Sequence, residues 1–185
     1  IISGIKAAAA GGFTHVCAMP NTLPAVDSKS QVEYVINRAK GQPVNVWPVG
    51  AISEGCKGGD ITEIYDMQKA GAIAFSDGLL STTNAGLTLR ALQYVKVFDG
   101  LVITHPDEPS LRAGGVMHEG EMSTRLGMKG IPALAEAIVV ERDLQLLQYA
   151  GSRLHFAYLS AATAVEKVKA AKKQGLAVTA SVSPY

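Results

Sequence analysis

Phe13-Thr-His-Val-Cys-Ala-Met19 runs directly into Pro20-Asn-Thr-Leu-Pro24, and this junction separates two candidate folds. The first stretch has the length and apolar, partly β-branched composition of a strand. An open nucleotide-binding sheet would follow its first strand with a glycine fingerprint, which lets the backbone approach a pyrophosphate. Prolines and an asparagine stand there instead, and neither GxGxxG nor GxxxxGK[ST] occurs anywhere in the chain. Outward from this junction, short apolar runs alternate with longer amphipathic ones, the pattern of parallel strands joined by crossover helices. Strands are predicted at 13–19, 44–51, 72–76, 101–105, 153–159 and 177–183, with helices at 28–40, 60–70, 84–97, 133–150 and 161–174. Ser28, Asp60 and Asn84 supply start signals, and Gly41, Gly71, Gly151 and Gly175 supply stops. Period alone fits either a doubly wound sheet or part of an eight-stranded barrel. Asn21, Asp77, His105 and Tyr158 fall at the carboxyl ends of strand candidates, the face on which a barrel gathers its chemistry.

Composition sets the outer limits. A chain of 185 residues with 48% apolar content can bury a sizeable core. Seventeen basic against sixteen acidic side chains leave a net charge of +1, which argues against a nucleic-acid or anionic-membrane partner. Cys17 and Cys56 show neither CxxC spacing nor the density of a disulfide scaffold, so reduced thiols and a cytoplasmic setting are expected. No apolar run approaches the roughly 18 to 20 residues that span a bilayer. No linker or charge block divides the chain, which is read as one domain, 1–185, whose only long irregular insertion is 106–132. Ile1–Ala10 reads as a helix entered partway along, without an initiator methionine, and an upstream segment is expected.

Each polar residue also has a plainer reading. Asp77 before Gly78 is the composition of an ordinary turn, and Asn21 between two prolines that of a loop-stiffening Asx turn. His105, before Pro106, reads equally as a core-edge histidine bonded to a carbonyl. Strand alternation sends His155 to the face opposite Tyr158, against a helix. His118 reads as ordering its loop by a hydrogen bond, and His15 as structural.

Five segments bear on these alternatives: Gly114-Gly-Val-Met-His-Glu-Gly120, Leu126-Gly-Met-Lys-Gly-Ile-Pro132, Gly11-Gly-Phe-Thr-His-Val-Cys-Ala-Met-Pro-Asn-Thr22, Ala74-Phe-Ser-Asp-Gly78, and Ile103-Thr-His105 with Ser110-Leu111. In order and spacing the chain resembles the dihydroorotases, cyclic amidohydrolases of pyrimidine synthesis. The resemblance implies a TIM (β/α)8 barrel of the metal-dependent amidohydrolase type, of which this chain supplies about six βα units, the second to the seventh strands. The first strand, with a His-x-His zinc pair and an arginine, and the eighth, with the general-base aspartate, would then lie outside it. The resemblance places Asp77 and His105 as zinc ligands and Asn21 on the substrate carboxylate. Hydantoinases and allantoinases bridge their metals with a carboxylated lysine on the fourth strand, and Ala72-Ile-Ala-Phe-Ser-Asp77 has none.

Two substitutions cut across that pattern. The family's His-x-x-His-x-Ser becomes His155-Phe-Ala-Tyr158-Leu-Ser160, and its Glu-Val-Thr-Pro-His-His becomes Ser181-Val-Ser-Pro-Tyr185. A phenol, ordinarily titrating near pH ~10, is a poor zinc donor at neutral pH. Two expectations follow. One is a dihydroorotase that interconverts N-carbamoyl-L-aspartate and dihydroorotate, with one or two zinc ions and a degraded metal site. The other is a catalytically inactive homologue that acts as a structural partner of aspartate carbamoyltransferase. Sheet edges left by the missing strands predict association, as a homo-oligomer or in that complex. A third reading, an unrelated α/β binding protein, requires the glycine-histidine loop to match by chance.

Overall fold

The computed structural model describes residues 1–183, so Tyr185 lies outside the described residues. In chain order the elements are α1 (Ile2–Ala10), β1 (His15–Ala18), α2 (Lys29–Ala39), β2 (Asn45–Gly50), α3 (Ile64–Ala70), β3 (Ala74–Phe75), α4 (Ala85–Lys96) and β4 (Val102–Thr104). There follow α5 (Pro109–Arg112), β5 (Met117–His118), α6 (Glu121–Arg125), β6 (Gly130–Ile131), α7 (Leu134–Ala150), β7 (Leu154–Phe156), α8 (Ala162–Lys173) and β8 (Val178–Ala180). All six expected strands are present, each shorter than its apolar run.

The main sheet has the order β1-β2-β3-β4-β7-β8, and every pairing is parallel. This order follows the chain without reversal. A doubly wound sheet reverses at its switch point, so the fold is a partial barrel.

Alternation along the strands sorts their side chains into two faces. Register places Phe75 beside Val102, Val102 beside Leu154 and Leu154 beside Val178. These residues are buried together with Leu92, Val95, Leu147 and Val168 of the surrounding helices. The core therefore lies between the strands and the helix layer. The other face carries His15, Cys17, Asn45, Trp47, Ile103, His155 and Thr179, none of which is fully buried. His15 stacks on Trp47 with centroids 6.2 Å apart, and its ring also meets Asn45 Nδ2 at 3.2 Å.

Three expectations need correction. Helix α3 begins at Ile64, because Asp60 closes the preceding turn, its carbonyl accepting the Glu54 N–H at 3.0 Å. The 106–132 segment is not irregular: the short helix α5 leads to β5, which pairs in parallel with β6 across the short helix α6. His155 does not face a helix, since its neighbours Leu154 and Phe156 occupy that side. Its imidazole instead meets Thr179 Oγ1 at 2.8 Å and Ser181 Oγ at 3.2 Å. Elsewhere the local signals hold. Asn84 accepts the Leu87 N–H at the start of α4, and Gly71 and Gly151 end α3 and α7 in the left-handed region.

Helix α7 ties the layers together. Glu136 accepts the backbone N–H groups of Ser160 and Ala161 at 2.9 and 3.0 Å and the Ser160 hydroxyl at 2.7 Å, closing the start of α8. Asp143 is fully buried and paired with Arg142 at 2.7 Å, and Arg142 also donates to the Thr83 carbonyl. Removing one partner of such a pair strands a charge away from water. Arg142→Ala is expected to lower stability by about 3 kcal/mol in urea unfolding, and adding Asp143→Leu to recover part of the loss. An unchanged midpoint for Arg142→Ala would show that the pair holds nothing.

Candidate active site

The carboxyl ends of the strands carry the residues singled out from the sequence, in two separate groups. Asp77, just past β3, is 3% exposed. Its Oδ1 accepts the backbone N–H groups of Ile52 and Ser53, both at 2.9 Å, and its Oδ2 accepts the Ser53 hydroxyl at 2.6 Å. The Ser53 hydroxyl oxygen in turn accepts the Gly58 N–H at 2.7 Å. A single buried carboxylate thus organises the turn between β2 and α3. Burial pushes its pKa above 3.8, opposed by the hydrogen bonds from Ser53 and Ile52. Ser53 was not singled out from the sequence, although its place just after an apolar strand run is where such a donor belongs.

Asn21 lies over the residue next to Asp77. Gly78 has φ +72, and a Cβ there would stand 2.6 Å from Asn21 Cγ, so only glycine leaves room for this side chain. Asn21 and Asp77 therefore share one side of the mouth.

His105 and Tyr158 form the second group. Their rings meet edge to face with centroids 6.1 Å apart. Tyr158 has φ +61, a conformation few non-glycine residues adopt, which turns the chain out of β7. Its N–H points to Ser181 Oγ at 3.4 Å, the hydroxyl that also meets His155 Nε2, so His155 supports this turn from below. Burial lowers the His155 pKa below 6.5. The Nδ1 atom of His105 is buried and has no hydrogen-bond partner among the described residues.

A cavity of about 370 Å³ opens beside this pair, within the ~300–1,000 Å³ common for small-molecule sites. His105 and Tyr158 form one wall, while Arg112, Met117 and His118 of the 106–132 segment form another. His118 was expected to order its loop by a hydrogen bond; it lies on β5 with its imidazole exposed toward the cavity instead. Asp77 and Asn21 do not line this cavity.

The donor set can be set against the zinc that the sequence resemblance implies. Asp77 spends both oxygens on three donors, and Tyr158 faces His105 with a phenol. Among the described residues, no three of the His, Cys, Asp and Glu side chains come together in a metal-holding group. A catalytic zinc takes about three protein ligands, so these residues do not by themselves fit the ion.

Residues 1–164 match the family model described as dihydro-orotase-like. The chain belongs to this family. It is 48% identical over all of its 185 residues to the dihydroorotase of Pelotomaculum thermopropionicum, and covers 43% of that protein. It is 46% identical, again over its full length, to the dihydroorotase of Desulfotalea psychrophila, covering 44% of it. The chain thus spans less than half the length of these relatives. Among solved structures, an L-hydantoinase (dihydropyrimidinase) from Arthrobacter aurescens superposes with a TM-score of 0.76 over 97% of this chain and 42% of its own, at 21% identity. At that identity the likeness concerns the fold, and it agrees with a partial barrel. No helix among the described residues is long and apolar enough to cross a membrane.

Two outcomes are expected here. Asp77 titrates higher in the folded chain than in the unfolded one, so its contribution to stability falls as pH rises from about 3.8 through the raised value. Asp77→Asn should remove that component from a pH series of urea midpoints, and an unchanged slope would contradict the assignment. Cys56 is buried, and burial with the nearby Asp77 and Asp27 pushes its thiol up to about 11. At neutral pH it should resist iodoacetamide until the protein is unfolded, as peptide mass mapping would show; rapid labelling of the folded protein would refute this.

Proposed function

We propose that the chain is the central part of a dihydroorotase barrel, contributing the second to seventh strands of one domain. The whole protein would interconvert N-carbamoyl-L-aspartate and dihydroorotate by reversible opening of a cyclic amide. The observation that carries this reading is identity of 48% to a dihydroorotase across every part of the chain. The arrangement at the strand ends supports it: a small-molecule cavity opens beside His105, on the face where barrels place their chemistry.

In this reading Asn21, seated over Gly78, holds the substrate carboxylate. Asp77 fixes the β2–α3 turn beside it, and His105 and Tyr158 shape the cavity wall. Asp77 and His105 remain candidate metal ligands only in combination with donors from segments outside the chain, and no step is assigned to a metal here. The general base belongs to the eighth strand on the same reading. The cytoplasmic setting and an assembly, either with further copies or with aspartate carbamoyltransferase, are part of the proposal.

A second reading, a non-catalytic partner protein, draws on Tyr158 and on the saturated Asp77 carboxylate. The relatives named above all carry the enzyme's name, which favours the first. The two part on a direct assay. The full-length protein should consume dihydroorotate and form carbamoyl-aspartate, followed chromatographically, with zinc measured on the same sample by elemental analysis. Folded protein without turnover in either direction would leave the partner reading in its place.

A further inference from the structure

Tyr158 turns the edge of its ring toward His105 from a left-handed backbone, φ +61. Such a conformation in a non-glycine residue persists only where the surroundings fix it. The chain on either side is held at every N–H. Ala157 donates to the Thr104 carbonyl at 2.9 Å, Tyr158 to Ser181 Oγ at 3.4 Å and Leu159 to the Ser181 carbonyl at 2.8 Å. Ser160 and Ala161 donate to the Glu136 carboxylate at 2.9 and 3.0 Å. The first three partners come from the end of β4 and the residue just past β8, while the last two bonds depend on one side chain of α7.

Helix α8 has no anchor of its own at this end. Its N-cap residue is Ala161, without a side-chain acceptor, and no acidic residue stands in its first turn. Glu136, in the first turn of α7, brings the missing negative charge from another helix, where the positive end of α8 favours it. Its Oε1 accepts the Ala161 N–H, and its Oε2 accepts the Ser160 N–H and the Ser160 hydroxyl at 2.7 Å. Glu136, Tyr158 and Ser160 all line the cavity beside His105.

We infer that Glu136 is a positioning residue of this cavity, which acts through the turn between β7 and α8 to hold the Tyr158 ring against His105. Three donors converge on it, so both of its oxygens must accept, and only a carboxylate offers two acceptors with no donor. A glutamine of the same shape keeps one accepting oxygen and turns an NH2 group toward the remaining donors. The turn ahead of Tyr158 then loses its anchor, the left-handed residue relaxes, and its ring swings away from His105. The consequence for turnover rests on the dihydroorotase reading; the consequence for the two rings does not.

Two measurements on the full-length protein keep these apart. In proton–carbon correlation spectra, assigned by substituting His105, Tyr158→Ala marks the His105 ring signal without the ring current of Tyr158. Glu136→Gln is expected to move the His105 signal most of the way to that position and to leave the signal of His15, on the edge strand β1, in place. Ser160→Ala removes one of the three donors and should move it part of the way; it serves as the test where Glu136→Gln does not fold. With dihydroorotate, Glu136→Gln should lower kcat/KM by about tenfold to a hundredfold, the size of effect that a displacement of roughly an ångström brings. Adding Glu136→Gln to Tyr158→Ala should cost little more, because the two changes act on one contact. A moved His105 signal in a protein without turnover would sustain this inference and remove the catalytic reading, and turnover with the signal unmoved would do the reverse. Losses in kcat/KM that multiply in the double variant would also overturn the inference, since Glu136 would then act by another route than Tyr158.

Discussion

Burial of alternate strand residues against the helix layer is the constraint on which the rest of this structure depends. Phe75, Val102, Leu154, Phe156 and Val178 all face outward into helices, and a Cβ at Gly50 would stand only 3.0 Å from Met67 and Phe75, a tighter fit than most side chains meet. Once those positions are fixed, period two sends His15, Trp47, Ile103 and His155 to the inner face. It also fixes where each strand delivers the residues that follow it. Asp77, His105 and Tyr158 reach the same end of the sheet because the strands before them are parallel and held in register.

Much of this was legible in the sequence. Strands and helices announced themselves by period, and glycines such as Gly71 and Gly151 stand where the chain turns left-handed. What escaped was set by contacts distant in sequence. Two-residue strands such as β5 and β6 are too short to show a period, so the 106–132 segment looked irregular. His155 lies on the face opposite to the expected one because alternation counted back from Tyr158 does not apply: β7 ends at Phe156, and Tyr158 has φ +61. Asp60 resembled a cap but serves the turn before the helix.

The candidate site was legible as a set of residues and not as an arrangement. Asn21, Asp77, His105 and Tyr158 were all found from their places after strands, yet they form two groups with different surroundings. Asp77 is enclosed by donors from Ile52 and Ser53, a link across 24 and 25 residues that no local pattern reveals. Glu136 shows its role only through the Ser160 and Ala161 N–H groups that it accepts, contacts distant in sequence. The family signature in 114–132 proves to be a wall of that cavity as well as a mark of ancestry.

The central claim is that this segment forms the ligand-bearing mouth of a dihydroorotase barrel. A crystal structure of the full-length protein with dihydroorotate or carbamoyl-aspartate bound tests it most directly. The ligand is expected in the cavity beside His105 and Tyr158, within hydrogen-bond reach of this chain's side chains, with the inner face around Trp47 covered by further strands. A ligand bound away from the strand ends, or an inner face still open to solvent in the complete protein, would contradict it.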